Sequence, residues 1–215
     1  MGRITATCVT QGLQQRTGND PTPTGIDKGP VDRLEVRRAG ALGDQILDTA
    51  HHGGVDKALY AYADEDADWW AEQLDEDVPP GRFGENLRTT GLDLGACVIG
   101  TRMMIGAEVL VEVSEPRIPC STFQHHMAGH EDWVARFREA NRTGVYLRVL
   151  SPGAIGVDDE IDVRHVPDHG VTIAQWFGDP SQAAARALLD ADEADDEWTL
   201  PSALRGNVEY VLDDR

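Results

Sequence analysis

Seven short runs of alternating or β-branched residues, at positions 3–10, 31–37, 57–62, 102–105, 108–114, 144–150 and 160–165, restrict the fold of this 215-residue chain more than any other feature. Alternation with period two puts one face of each run against a core. Strands this short and this numerous, punctuated by glycine and proline, must pair into a barrel or a sandwich. Two helical stretches interrupt them. Residues 64–74 open with Asp64 as a candidate N-cap and bring Trp69, Trp70 and Leu74 to helical spacing. Residues 130–141 gather Trp133, Val134 and Phe137 on one face. From Val171 the texture changes to three short helices, at 172–177, 180–190 and 201–212, two of them opening at proline. The expectation is a mainly β fold with helices (α+β): a β-barrel domain over residues 1–167, then a three-helix C-terminal segment over 168–215. The tail has too few apolar positions to fold alone, so it packs on the barrel or docks a partner.

The net charge of −19 excludes one broad class of partner, because such a surface repels the phosphates of DNA and RNA. No apolar run is long enough to span a membrane. The first ten residues read as a strand and not as a signal peptide, so the expected compartment is the cytoplasm. Lys28 and Lys57 are the only lysines, the other 17 basic residues being arginines. Cys8, Cys97 and Cys120 are too few and too widely spaced for a disulfide framework or paired zinc knuckles. The first two lie in apolar segments and read as small core residues.

Cys120 ends the segment Ser114-Glu115-Pro116-Arg117-Ile118-Pro119-Cys120, directly after a strand. Two prolines stiffen the chain and stop further pairing. Arg117, three residues away, favours the thiolate. Such a loop suits a nucleophile or a soft-metal ligand; an inert turn around a buried cysteine is the plain alternative, and zinc held by Cys120 with His125, His126 and His130 is another. His51-His52-Gly53-Gly54-Val55-Asp56-Lys57 packs polar groups around paired glycines, which allow close backbone approach to a ligand or simply form a structural loop. Gly81-Arg82-Phe83-Gly84-Glu85-Asn86-Leu87 offers an amide able to read a heterocycle. Thr24-Gly25-Ile26-Asp27-Lys28, with Gly43-Asp44 downstream, reads as a phosphate cradle or an ordinary turn. In residues 141–148, Arg148 reads as a surface ion-pair partner.

In this order these segments resemble the MOSC domain, named for its relation to the C-terminal domain of molybdenum cofactor sulfurases. The resemblance spans residues 4 to 165, and within the family it is nearest to the YiiM-like branch with its three-helix extension. It implies a β-barrel that binds a molybdenum cofactor (molybdopterin), with Cys120 as metal ligand and catalytic residue. It places Lys28, Arg117, Asn86, Lys57, His52 and Arg82 in the cofactor-lining motifs, with Lys28 toward the cofactor phosphate. The implied activity is reduction of small N-hydroxylated compounds, such as N-hydroxylated nucleobase analogues, as a detoxification. No flavin or iron–sulfur motif is visible, so a separate flavin-containing reductase is the expected electron donor; a homodimer is consistent with the family. The alternative from another class is a sulfur or cofactor carrier that uses Cys120 as persulfide or thiolate.

Overall fold

Strand β1 (Gly2–Thr10) is the seam of the molecule, since it is long enough to serve three neighbours. The computed structural model describes residues 1–15, 23–47, 53–195 and 197–213. The first residues of β1 pair with β11 (Glu160–His165), its middle with β6 (Leu87–Thr90) and its end with β2 (Lys28–Val31). The remaining barrel strands are β5 (Leu59–Ala63), β7 (Arg102–Ile105), β8 (Val109–Pro116) and β9 (Val145–Ser151). They run in the order β11-β7-β8-β9-β5-β6-β1, and the β1–β11 pairing closes this ring of seven strands, which removes free edges. β2 lies outside the ring on β1. A second small sheet joins β3 (Arg33–Arg37), β4 (Gly40–Ala41) and β10 (Gly153–Gly156).

All barrel pairings are antiparallel except β5–β6. Parallel neighbours need a crossover, and α1 (Asp64–Leu74) supplies it. The N-cap of α1 is Ala63 and not Asp64, which is instead the first of three acidic residues in its opening turn, where the helix dipole favours negative charge. After β8 the chain forms α2 (Ser121–His126) and α3 (Trp133–Ala140). The run expected at 31–37 breaks at Asp32, between the end of β2 and the start of β3. The run at 57–62 begins later than expected, because Val55–Lys57 is a turn of 3₁₀ helix.

The tail forms α4 (Ile173–Gly178), α5 (Gln182–Ala194) and α6 (Ser202–Asp213). Thr172 and Ser181 cap the first two by accepting from the amides of Gln175 and Ala184, so Pro180 precedes a cap instead of opening a helix. Trp176, Leu188, Trp198, Leu204 and Val208 join one continuous core with Ile4, Leu59, Val111, Val145 and Leu147 of the barrel. Of the two expectations for the tail, packing on the barrel is the one observed. A second core is aromatic: Tyr60, Tyr62, Trp70, Phe83, Phe123, Trp133 and Phe137 lock α1, α2 and α3 against β5. Most of their rings meet edge-on or tilted, as Phe83 and Phe123 do at 5.7 Å, while Trp70 and Phe137 lie parallel at 6.0 Å. Among the described residues no helix is long and apolar enough to cross a membrane.

Candidate functional site

The aromatic core carries a recess on its flank. Its walls come from residues 23–28, 45–47, Gly53, Lys57, Tyr60, Gly84, Asn86, Arg117, Cys120, Thr122 and Tyr146. It encloses about 770 Å³ of empty space, its open mouth included. Five segments distant in sequence therefore meet at one place.

Cys120 stands at the N-cap of α2, half-buried, after the two prolines have ended β8. The other two cysteines differ sharply from it. Burial pushes the thiol of Cys8 up to about 12 and that of Cys97 up to about 11, which makes both inert at neutral pH. Arg117 is 5 % exposed and donates from Nη1 to the carbonyl of Phe83 at 2.7 Å. Its guanidinium lies 3.7 Å from the centre of the Phe123 ring and 5.1 Å from that of Tyr60. Among the described residues no carboxylate pairs with it. A buried cation with aromatic faces and a carbonyl, but no counter-charge, draws an anion to its open side. The Cys120 thiol is close enough to feel that charge.

The loop that supports Arg117 is fixed by a carboxylate. Glu85, fully buried, accepts from the amides of Gly81 (2.7 Å) and Phe83 (3.0 Å) and pairs with Arg88 at 2.7 Å. Arg88 donates in turn to the carbonyl of Pro79. Gly84 has φ +78, and a Cβ there would come within 2.9 Å of Ile26, so glycine lets this loop close onto the 23–28 wall.

Lys28 lies on that wall, with Nζ 2.6 Å from Asp44 in an almost fully buried pair. Asp44 also accepts from Asn86 Nδ2 (2.9 Å), Thr10 Oγ1 (2.8 Å) and the Thr10 amide (3.3 Å). Burial alone would push the Asp44 carboxyl up, but Lys28, Asn86 and Thr10 together hold it below the usual carboxylate range. Asn86 has both Nδ2 hydrogens engaged, to Asp44 and the carbonyl of Cys8, and its Oδ1 accepts from the Tyr60 amide. Its observed work is to tie β1, β5 and Asp44 together.

Lys57 comes from the 3₁₀ turn, with Nζ 5.7 Å from the Tyr146 ring centre and 3.6 Å from Glu115. Burial raises the Glu115 carboxyl above its ordinary range, with Lys57 opposing. The neighbouring Asp56 accepts from Arg148 at 2.6 and 2.9 Å and from the amide of Ser202 in the tail, while Arg148 reaches Glu112 and the carbonyl of Thr199. Arg148 is thus the expected ion-pair partner, half-buried, and joins the tail to the loop that carries Lys57.

Arg82 does not line the recess; its guanidinium turns to Glu76 at 3.5 Å. His52 lies outside the described residues. The histidines after Cys120 do not converge: His126 contacts the carbonyl of Arg82, His130 contacts Glu76 and His125 contacts the carbonyl of Ser121. Among the described residues no three His, Cys, Asp or Glu side chains are grouped to hold a metal ion, which removes the zinc reading. The residues that motif reading passed over are Tyr60, Tyr146 and Glu115. Tyr146 had a signal, since period two puts it on the same side of β9 as Arg148. Buried Glu115 had none beyond being one of two acidic residues in a largely apolar strand.

The sequence profile of the MOSC domain matches residues 48–162, more than half of the chain. The chain is a MOSC-domain protein. YiiM of Escherichia coli is 31 % identical to it over 186 residues, 82 % of each chain. A Gibberella moniliformis protein named Reductase is 37 % identical over 137 residues, covering 60 % of this chain but 23 % of that one. In three dimensions this MOSC protein is similar to the crystal structure of YiiM from Geobacillus stearothermophilus, with a TM-score of 0.77 at 23 % identity, over 99 % of this chain and all of that one. That likeness establishes a shared fold that includes the helical tail.

Proposed function

We propose that this MOSC protein is a molybdenum-cofactor-dependent oxidoreductase that reduces N-hydroxylated compounds, drawing electrons from a separate flavin-containing reductase. The observation that carries the reading is the buried Arg117, without a carboxylate partner among the described residues, beside the one cysteine that faces the recess. The donor set fits the family's cofactor. A thiol is a soft ligand suited to molybdenum, and the anionic pterin phosphate needs a cation that is not already neutralised. Lys28 and Lys57 each have a carboxylate beside them, so Arg117 supplies the uncompensated charge. When bound, the cofactor supplies two-electron chemistry at the metal.

The chain's own residues then have separable tasks. Cys120 would hold the metal, and Arg117 places a positive charge beside that sulfur. Ile26, Ile46 and Leu47 give the recess apolar walls that exclude water from a flat substrate, and Tyr60 and Tyr146 offer ring faces for it. The relative named Reductase, of which this chain matches 23 %, favours redox chemistry over simple carriage. Protein purified from a host that makes the cofactor should contain close to one molybdenum per chain and should reduce an N-hydroxylated base with a small chemical reductant. Labile sulfur without molybdenum would replace this reading with that of a sulfur carrier.

A further inference from the structure

The least satisfied polar atom near the recess is on Glu115. Its side chain is almost wholly buried, and its Oε1 has no hydrogen-bond partner among the described residues. An ionised carboxylate with one bare oxygen in such a place is costly, and a carboxylic acid there costs far less. Its other oxygen faces Lys57 Nζ, and Lys57 is the residue between Glu115 and the recess. Around Glu115, Lys57 and Asp56 come from the 3₁₀ turn, and Arg148 and Tyr146 from β9. Asp56 and Glu112 claim Arg148 in full-strength bonds, which leaves Lys57 as the cation that answers Glu115. The helix packed on β8, α4, brings no titratable side chain.

We propose that Lys57 and Glu115 are the proton supply of the site, with Lys57 as the catalytic residue that protonates the departing oxygen and Glu115 as the residue that refills it. This rests on the reductase reading above. Cleaving R–NH–OH to R–NH2 and water takes two electrons and two protons. The electrons come from the flavin-containing reductase through the bound cofactor. As the N–O bond breaks, Lys57 Nζ gives one proton to the hydroxyl oxygen, which leaves as water. The nitrogen takes the second proton from water at the mouth of the recess. The acid proton of Glu115 then passes to the Lys57 amine and leaves an ammonium–carboxylate pair, which solvent reprotonates. The present 3.6 Å separation is loose for transfer, as catalytic contacts commonly are before substrate binds.

The experiment uses the full chain with and without cofactor. Lys57→Met should keep its molybdenum but lose turnover about a hundredfold or more, the usual worth of a positioned acid, and methylammonium should restore part of it. Glu115→Gln should keep molybdenum, slow turnover less, and change its pH profile, while Glu115→Asp should recover the wild-type profile. In cofactor-free protein, infrared spectra should show a protonated carboxyl that persists above the ordinary carboxylate range and disappears in Glu115→Gln. Wild-type turnover in molybdenum-loaded Lys57→Met, or no such carboxyl band, overturns the proposal. If Lys57→Met does not fold, Lys57→Gln takes its place in the same measurements. A wild-type protein without molybdenum or N–O turnover overturns the reductase reading first, and the donation step with it, even where the band is present.

Discussion

The two lysines of this chain face one recess from two walls, and the protein treats them differently. On the first wall, the carboxylate beside Lys28 has a donor for nearly every lone pair: Lys28 at 2.6 Å, Asn86 at 2.9 Å and Thr10 twice. On the second, Glu115 stands 3.6 Å from Lys57 with one oxygen bare. A fully answered buried pair is scaffolding, and removing one member leaves a charge with nothing to answer it. A half-answered pair holds a proton that can move. On the proposal above, Lys28 belongs to the frame of the recess and Lys57 to its chemistry.

The largest effect should come from removing what braces the second wall. A chain ended after Pro167 loses Trp176, Leu188, Trp198, Leu204 and Val208 from the common core, and with them the Thr199 and Ser202 contacts that hold Arg148 and Asp56. Large core residues are worth roughly 2–5 kcal/mol each against a total stability of about 5–15 kcal/mol. The truncated chain should show no cooperative urea transition. A normal transition with molybdenum retained would make the tail an accessory and not part of the barrel's core.

Next in size is the first wall. Asp44→Ala strands Lys28 and should cost about 3–5 kcal/mol by urea denaturation. Adding Lys28→Met should recover most of that loss, because the uncompensated charge and not the missing contact is expensive. If the double variant is no better than the single, Asp44 acts mainly through Asn86 and Thr10.

The second wall should give a smaller, pH-dependent effect. The folded carboxyl of Glu115 titrates above its unfolded value, so wild type binds an extra proton when folded. Stability therefore falls as pH rises from about 4.3, the unfolded value, through the folded one, and then levels. Glu115→Gln removes this slope. Asp44, Glu65 and Asp192 are shifted the other way, so the test is the difference between the two stability curves across that window. A difference independent of pH would mean that Glu115 binds its proton alike in the folded and unfolded chain.

The contrast also explains what could be read from the sequence. The barrel strands other than β6 were legible because burial of one face writes a period of two into the chain; β6, buried at three successive positions, shows no such period and was not legible as a strand. The loop motifs were legible as a group because glycine, proline and cysteine at fixed spacing mark backbone that approaches a ligand. What could not be read was partnership. Nothing local says that the Asn86 amide is consumed by Tyr60, Cys8 and Asp44, that Arg82 turns to Glu76, or that Ser202 donates to Asp56 from 146 residues away. Short elements such as β4, β10 and α2 also escaped, since two to six residues are too few to display a period.

The central claim is that Cys120 holds the metal, and elemental analysis of three single variants from a cofactor-producing host tests it directly. Serine matches cysteine in shape but is a poor soft-metal ligand. Cys120→Ser should be folded and free of molybdenum, while Cys8→Ser and Cys97→Ser, whose thiols lie buried, should keep it. Undiminished molybdenum in folded Cys120→Ser would contradict the account.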